Sequence, residues 1–212
     1  MIILLTGLPG VGKGTQAERI VAKYQIKHLS TGNIFRTLMT QTNELADELN
    51  SYISKGALVP DELTIKILKE EIKKDGYQNG FLLDGFPRTV AQAKFLDKLL
   101  QEENLNLDYV INLHLAENTI KDRLVNRLFC PNCQATYHKT LIPPKQENIC
   151  DNCGATLVQR ADDKLEKIEN RLKIAKEQTL PVIEYYADKV QTIDVNNKSS
   201  QAVFDKIESI VK

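Results

Sequence analysis

Gly7-Leu8-Pro9-Gly10-Val11-Gly12-Lys13-Gly14-Thr15 sets glycines and one lysine where a polyphosphate can be held. Its core, Gly7-x4-Gly12-Lys13, matches the start of a phosphate-binding P-loop. Glycines let successive backbone N–H groups converge on phosphate oxygens, and a helix starting directly after the loop favours negative charge. Lys13 can reach the β- and γ-phosphates. A strict P-loop has Ser or Thr immediately after the lysine. Here Gly14 intervenes, and Thr15 becomes the candidate hydroxyl for magnesium or phosphate. The loop is not a dinucleotide fingerprint, because it has no Gly-x-Gly-x-x-Gly and its lysine suits a triphosphate.

A second stretch, Phe81-Leu82-Leu83-Asp84-Gly85-Phe86-Pro87-Arg88, ends an apolar strand with an acid. Ligands of α/β sheets bind beyond the carboxyl ends of strands, which would put Asp84 beside the glycine loop. There it could hold a magnesium-bound water or order the site; the bland reading is a strand-end turn carboxylate. Gly85 would let a ligand approach the backbone, and Arg88 could grip an acceptor phosphate. Only seven of the 28 basic residues are arginine: Arg19, Arg36, Arg88, Arg123, Arg127, Arg160 and Arg171. Arginine is favoured where a planar fork must grip phosphate or carboxylate, so its scarcity in a lysine-rich chain is a pointer to such sites.

All four cysteines lie between 130 and 153, as Cys130-Pro-Asn-Cys133 and Cys150-Asp-Asn-Cys153, with sixteen residues between the pairs. The flanking turn formers suit two knuckles around a tetrahedral metal, and four thiolates would make a closed structural zinc site. Oxidised pairs and free thiols are the alternatives. Disulfides would be unusual in a reducing compartment.

These residues need elements to position them. Ile2–Thr6 reads as a buried strand and Thr15–Tyr24 as a helix with Ala17, Ile20, Val21 and Tyr24 near one face. Ser30-Thr31-Gly32-Asn33 is a turn or cap cluster, and Pro60-Asp61-Glu62 a helix start. Asn79-Gly80 is a turn before the strand ending at Asp84. Ala91–Leu100 reads as helix, Tyr109–Leu115 as strand, and Asn118–Leu128 as helix running into the cysteines. Asp162–Asp188 is helical in pattern with a kink at Pro181, followed by a strand, Val190–Asp194, and a helix, Gln201–Val211. Strands alternate with helices, so the class is α/β with a mostly parallel sheet, and 30–60 and 128–160 are excursions from it.

The 212 residues suit one globular domain with an insertion or two small domains, burying about two-thirds of the unfolded surface. Acidic and basic residues balance at 28 each, so nothing suggests an extended nucleic-acid surface. No apolar run approaches the roughly 20 residues of a membrane span, and a cytoplasmic enzyme is expected.

With these segments in place the chain resembles the adenylate kinases, specifically the bacterial long-lid type. The matching stretches are Gly7–Thr15, Leu29–Arg36, Gly56–Asp61, Gly80–Gln92, Asp122–Arg127, Cys130–Tyr137 and Arg160–Asp163. The resemblance implies the P-loop nucleoside monophosphate kinase fold: a CORE of 1–29, 60–126 and 161–212, an AMP-binding excursion at 30–59 and a LID at 127–160. It assigns Gly10, Val11, Gly12, Lys13, Gly14, Thr15, Arg123, Arg127, Tyr137 and Asn197 to ATP. It assigns Thr31, Gly32, Arg36, Leu58, Val59, Gly85, Arg88, Gln92, Arg160 and Arg171 to AMP. Lys13, Asp84, Arg88, Arg123, Arg160 and Arg171 are the implied catalytic group, and Asp162 and Asp163 an acid pair that orients arginines. Zinc on Cys130, Cys133, Cys150 and Cys153, magnesium with ATP, and a monomer are implied as well.

The chain departs from the family pattern at Asn33, where Asp is common, at Leu128, where a second Arg often stands, and at Asp194-Val195-Asn196-Asn197, which replaces an Asp-Gly stretch near the adenine pocket. His138 reads as a lid surface or packing residue, and His28 and His114 as strand-associated structural residues. The expected reaction is phosphoryl transfer from Mg-ATP to AMP, giving two ADP. A kinase for UMP, CMP or GMP is the nearest alternative. A zinc-knuckle nucleic-acid binder with a P-loop ATPase is the alternative of another class.

Overall fold

The computed structural model describes every residue of the chain except 75 and 78. Ile2–Thr6 (β1) is buried at all five positions, as its unbroken apolar run requires of a central parallel strand. It forms the middle of a five-stranded parallel sheet with Lys27–Ser30 (β2), Phe81–Asp84 (β3), Tyr109–His114 (β4) and Val190–Asp194 (β7), in the order β2-β3-β1-β4-β7. Parallel pairing needs crossovers, and helices supply them. In chain order they are Lys13–Tyr24 (α1), Thr31–Leu38 (α2), Glu44–Ile53 (α3), Asp61–Ile72 (α4), Val90–Glu102 (α5), Glu117–Val125 (α6), Leu165–Ile174 (α7), Leu180–Tyr185 (α8) and Ser200–Ile210 (α9).

Alternate side chains of each strand feed opposite faces. Ile3, Leu5, Leu82, Ile111 and Leu113 pack with Ala17, Ile20, Ile120, Leu124, Ile168 and Phe204 on one side. Ile2, Leu4, Phe81, Leu83 and Val110 pack with Leu68, Leu96, Leu100 and Val182 on the other. Two smaller clusters stand apart. Phe35, Leu49 and Val59 hold α2 and α3 together. Leu128, Cys130, Tyr137, Cys150 and Leu157 hold the cysteine segment, built on an antiparallel pair, Arg127–Phe129 (β5) and Thr136–His138 (β6).

Two expectations change. The helix expected over 118–128 ends at Val125, and Arg127–Phe129 is a strand. Leu128 continues the apolar spacing of the helix, but it is buried in the cysteine cluster and not against the sheet. The long helix over 162–188 is divided: a π-helical turn, Ala175–Thr179, joins α7 to α8. Pro181 lies in the first turn of α8. Its ring would crowd the carbonyl four residues back, and the wider turn absorbs that conflict without breaking the helix.

The register of β3 on β1 sets Leu5 beside Asp84, and that of β2 on β3 sets Ser30 beside Asp84. Gly80 starts this register. Its φ is +109°, and a Cβ there would lie 2.2 Å from the carbonyl oxygen of Met1. Gly80→Ala is expected to lower unfolding free energy by about 2 kcal/mol or more, read from urea denaturation, because strain and a backbone clash act together. An unchanged midpoint would show that β3 can slide without cost.

Candidate functional site

A cavity of about 510 Å³ lies at the carboxyl ends of the strands, where β3 and β4 flank β1 on opposite sides. The glycine loop forms one wall. Gly12 caps α1 with φ 100°, and α1 has neither a side-chain cap nor an acid in its first turn. By contrast α2, α3, α5 and α9 begin on Ser30, Asn43, Thr89 and Ser199 caps. The start of α1 is therefore left for an anion to satisfy.

Lys13 donates to the carbonyls of Gly7 (2.8 Å) and Leu8 (3.0 Å) from within this wall. Burial lowers its pKa to about 8, with Asp84 opposing the shift and Arg88 adding to it. Across from it, burial raises the proton affinity of Asp84. The His28 ring, Lys13 and Arg88 outweigh that effect and hold the carboxyl below its usual range. His28 Nε2 stands 3.4 Å from Asp84 Oδ2.

The opposite wall joins the ends of β2 and β3. Thr31 donates to the carbonyl of Gly85 (2.8 Å), and Arg88 Nε donates to the same oxygen (2.8 Å). Thr89 caps α5 and so fixes Gln92 at its first turn. Gln92 is 2% exposed. Its carbonyl oxygen accepts from Arg88 N (2.7 Å), and its amide donates to Asp61 Oδ1 (2.7 Å). These bonds leave one amide hydrogen and one carbonyl lone pair of Gln92 unused. Arg36 bonds the side chain of Asn33.

The third wall is arginine. Asp163 is fully buried and takes Arg127 through both nitrogens (2.7 and 2.6 Å) and Arg171 at 2.8 Å. Asp162 adds a 2.9 Å contact to Arg171. The expectation that this acid pair orients arginines is met in the geometry. The Nε atoms of Arg36, Arg123 and Arg160 are buried with no hydrogen-bond partner. Burial, then the cations Arg127 and Arg36, hold the proton affinity of Arg160 well below its usual value against Asp163 and Asp162. Lys13, Arg36, Arg88, Arg123, Arg127, Arg160, Arg171 and Lys198 line the cavity against Glu18, Asp84 and Asp162. Eight cations facing three acids make the cavity strongly positive in a chain of zero net charge, so its ligand carries several negative charges.

The four cysteine sulfurs all lie within 4.8 Å of one another, with Cys130–Cys153 and Cys133–Cys150 at 3.4 Å. A tetrahedral ion with Zn–S bonds of about 2.3 Å needs sulfurs roughly 3.8 Å apart, so the set fits. The hydroxyl of Tyr137 stands 3.5 Å from Cys150 Sγ and accepts from Asp151 N (2.8 Å), while its side chain also lines the cavity. The cysteine cluster and the ligand cavity thus share Tyr137. His138 is buried and its Nδ1 accepts from the backbone of Thr140 and Leu141, a packing role.

Every residue expected at the ligand site lines this cavity except Asn197, which is exposed with φ 55°. Val195 and Lys198 line it instead. Sequence reading missed Asp61 as the anchor of Gln92 and His28 as the neighbour of Asp84. The two residues of each pair are far apart in sequence, and no local pattern signals them.

Residues 5–191 match the family described as adenylate kinase. The chain is 50% identical over 189 residues to the adenylate kinase of Bacillus pumilus, covering 89% of this chain and 87% of that protein. It is 46% identical over 212 residues to that of Bacillus subtilis, covering 100% and 98%. With that of Thermoanaerobacter pseudethanolicus it shares 46% over 208 residues, covering 98% and 96%. No helix among the described residues is long and apolar enough to cross a membrane.

Two outcomes are expected. With Lys13 at about pKa 8, part of it is neutral in free protein at alkaline pH, while a bound polyphosphate favours the ammonium. Triphosphate binding should therefore take up a proton above pH 8, and affinity should fall by about tenfold per pH unit there, until the bound form also titrates. Calorimetry in buffers of different ionisation enthalpy reads both, and Lys13→Met should flatten the profile. Separately, Cys130→Ser should lower bound zinc per chain and the melting temperature. Unchanged zinc by mass spectrometry would remove the four-thiolate site.

Proposed function

We propose that this chain, which belongs to the adenylate kinase family, transfers the γ-phosphoryl group of Mg-ATP to AMP, giving two ADP, reversibly. It is an adenylate kinase by its family. One observation carries the proposed reaction: a single cavity has a phosphate grip on each of two walls and arginines between them.

In this reading the loop Gly10–Thr15 and Lys13 take the β- and γ-phosphates of ATP, and Arg123 and Arg127 lie along the donor. Arg36 and Arg88 take the phosphate of AMP, with its base toward Gln92, Thr31, Leu58 and Val59. The AMP phosphate oxygen is largely anionic at neutral pH, since phosphate monoesters lose their second proton near pKa 6, so no protein base is required. It attacks the γ-phosphorus in line, and the β–γ bridging oxygen leaves as part of ADP. Charge spreads over the equatorial oxygens of the moving group, where Lys13, Arg88, Arg160 and Arg171 would meet it. Magnesium arriving with ATP would neutralise phosphate charge, and Thr15 and Asp84 are the residues that would hold it or its waters.

We assign 30–59 as an acceptor arm and 127–160 as the lid, closing on a core of 1–29, 60–126 and 161–212. Zinc on the four cysteines would hold the lid, whose own apolar cluster is small. Closure excludes water, which would otherwise compete with AMP for the γ-phosphoryl group.

Phosphorus NMR with Mg-ATP and each of AMP, GMP, CMP and UMP tests the reading. Rapid ADP formation with AMP alone is expected, and preference for another monophosphate overturns the acceptor assignment. Lys13→Ala should reduce kcat by about 10³-fold or more with circular dichroism unchanged. Near-wild-type turnover would remove the loop from the mechanism.

A further inference from the structure

The phenyl ring of Phe129 is buried, yet it belongs to none of the apolar clusters of the fold. Its neighbours Leu128 and Cys130 pack into the lid, while its ring turns toward two guanidiniums. Arg160 Cζ lies over the ring at 4.5 Å from its centre and Arg36 Cζ at 5.3 Å. Arg160 belongs to the lid and Arg36 to α2 of the acceptor arm. A second contact runs between the same two pieces: Gln134 Nε2 donates to Thr37 Oγ1 at 2.9 Å. Thr37 follows Arg36 on α2.

Both lid residues are held firmly. Phe129 exchanges two 2.8 Å backbone bonds with Val158 and pairs with Thr136. Gln134 adopts φ 63° and donates its N–H to the Cys130 carbonyl at 2.9 Å. Two side chains that flank the first cysteine knuckle, on backbone fixed by these bonds, thus meet two consecutive residues of the arm.

We propose that Phe129 and Gln134 form a seat through which the lid closes directly on the arm, so that AMP bound to the arm favours lid closure before ATP arrives. The inference rests on the acceptor role of Arg36 given above. Arg36 and Arg160 repel each other, and the negative face of a shared ring offsets part of that repulsion. An acceptor phosphate at Arg36 orders its guanidinium and neutralises the rest. The closed lid then gains contacts that the open lid lacks, and the coupling is reciprocal by linkage. Phe129 and Gln134 are positioning residues: they act through Arg36 and α2.

Spin labels on noncanonical residues replacing exposed Glu48 in the arm and Glu147 in the lid would report closure by pulsed dipolar spectroscopy. In the wild type, AMP alone should shift the distances toward the short, closed population. In Phe129→Val and Gln134→Ala that shift should shrink, while a non-hydrolysable ATP analogue still closes the lid. KM for AMP should rise by about fivefold, with kcat changed less, the size of a cation–π contact with one hydrogen bond. Thr37→Ala, which leaves the lid intact, should give the Gln134→Ala result and guards against a lid that merely loses its fold. An AMP response equal to wild type in Phe129→Val and Thr37→Ala, or none in the wild type, overturns the seat. Because closure is read without turnover, absent phosphoryl transfer with AMP-driven closure intact would fail the proposed reaction and not this inference.

Discussion

The dominant constraint in this molecule is repulsion among guanidiniums. Two like charges about 4 Å apart repel by roughly 4 kcal/mol even at an effective dielectric of 20. Six of the seven arginines line one cavity. Left to itself such a cluster would splay into solvent. Asp163 prevents that from the inside: it is completely buried and holds Arg127 and Arg171 together. Asp162 supports Arg171, and Asn33 holds Arg36 without adding a charge. The acids fix Arg127 and Arg171 in place and fall short of neutralising the six arginines of the cavity. The remaining deficit is the site's affinity for phosphate, present before any ligand arrives and needing little reorganisation to act. Arg19, the seventh arginine, lies over the ring of Phe204 away from the cavity.

The sheet makes that arrangement reproducible. All five strands are parallel, so their carboxyl ends, and the loops that follow, open to the same side. Residues from the loop after β1, the end of β2 and the turn after β3 are brought within one cavity by register, and the bond from Thr31 to the Gly85 carbonyl ties two of these segments together. A slip of one residue in β3 would turn Asp84 away from Lys13 and send Phe81 and Leu83 to the face that Leu82 now occupies.

Legibility followed the distance over which each feature is encoded. The glycine loop, the strand ending in Asp84 and the cysteine knuckles are each written within ten residues or so, and all were readable. β2 was not, because Lys27-His28-Leu29-Ser30 has only one large apolar residue and its pairing with β3 is what makes it a strand. The end of α6 was misjudged because Leu128 keeps helical spacing while serving a different core. The bonds from Gln92 to Asp61 and from Arg127 to Asp163 cross 31 and 36 residues. Such pairs are fixed by topology, and composition carries no trace of them. The stretch after β7 illustrates a third limit: the approach to the cavity is made by Val195 and Lys198, and Asn197 absorbs the turn in a left-handed conformation.

A device that closes on each turnover must also open, and the sizes of the clusters bear on how it does so. The sheet faces carry large continuous cores. The cysteine segment has five buried residues in its cluster, two of them cysteine, and the α2–α3 segment has three. Neither small cluster merges with the two main cores, although Leu63 and Ile67 of α4 pack against the α2–α3 cluster. A metal on the four thiolates would supply internal stiffness locally without enlarging the contact with the rest of the protein. The side-chain contacts between residues 127–160 and α2 are correspondingly light: the ring of Phe129 under Arg36 and one hydrogen bond from Gln134 to Thr37, each worth on the order of 1 kcal/mol. A large apolar interface there would trap the products. Under the proposed closure, contacts of this size would bias the lid shut when phosphates are bound and release it when they leave, so the charged cavity, and not the interface, would decide when the lid is shut.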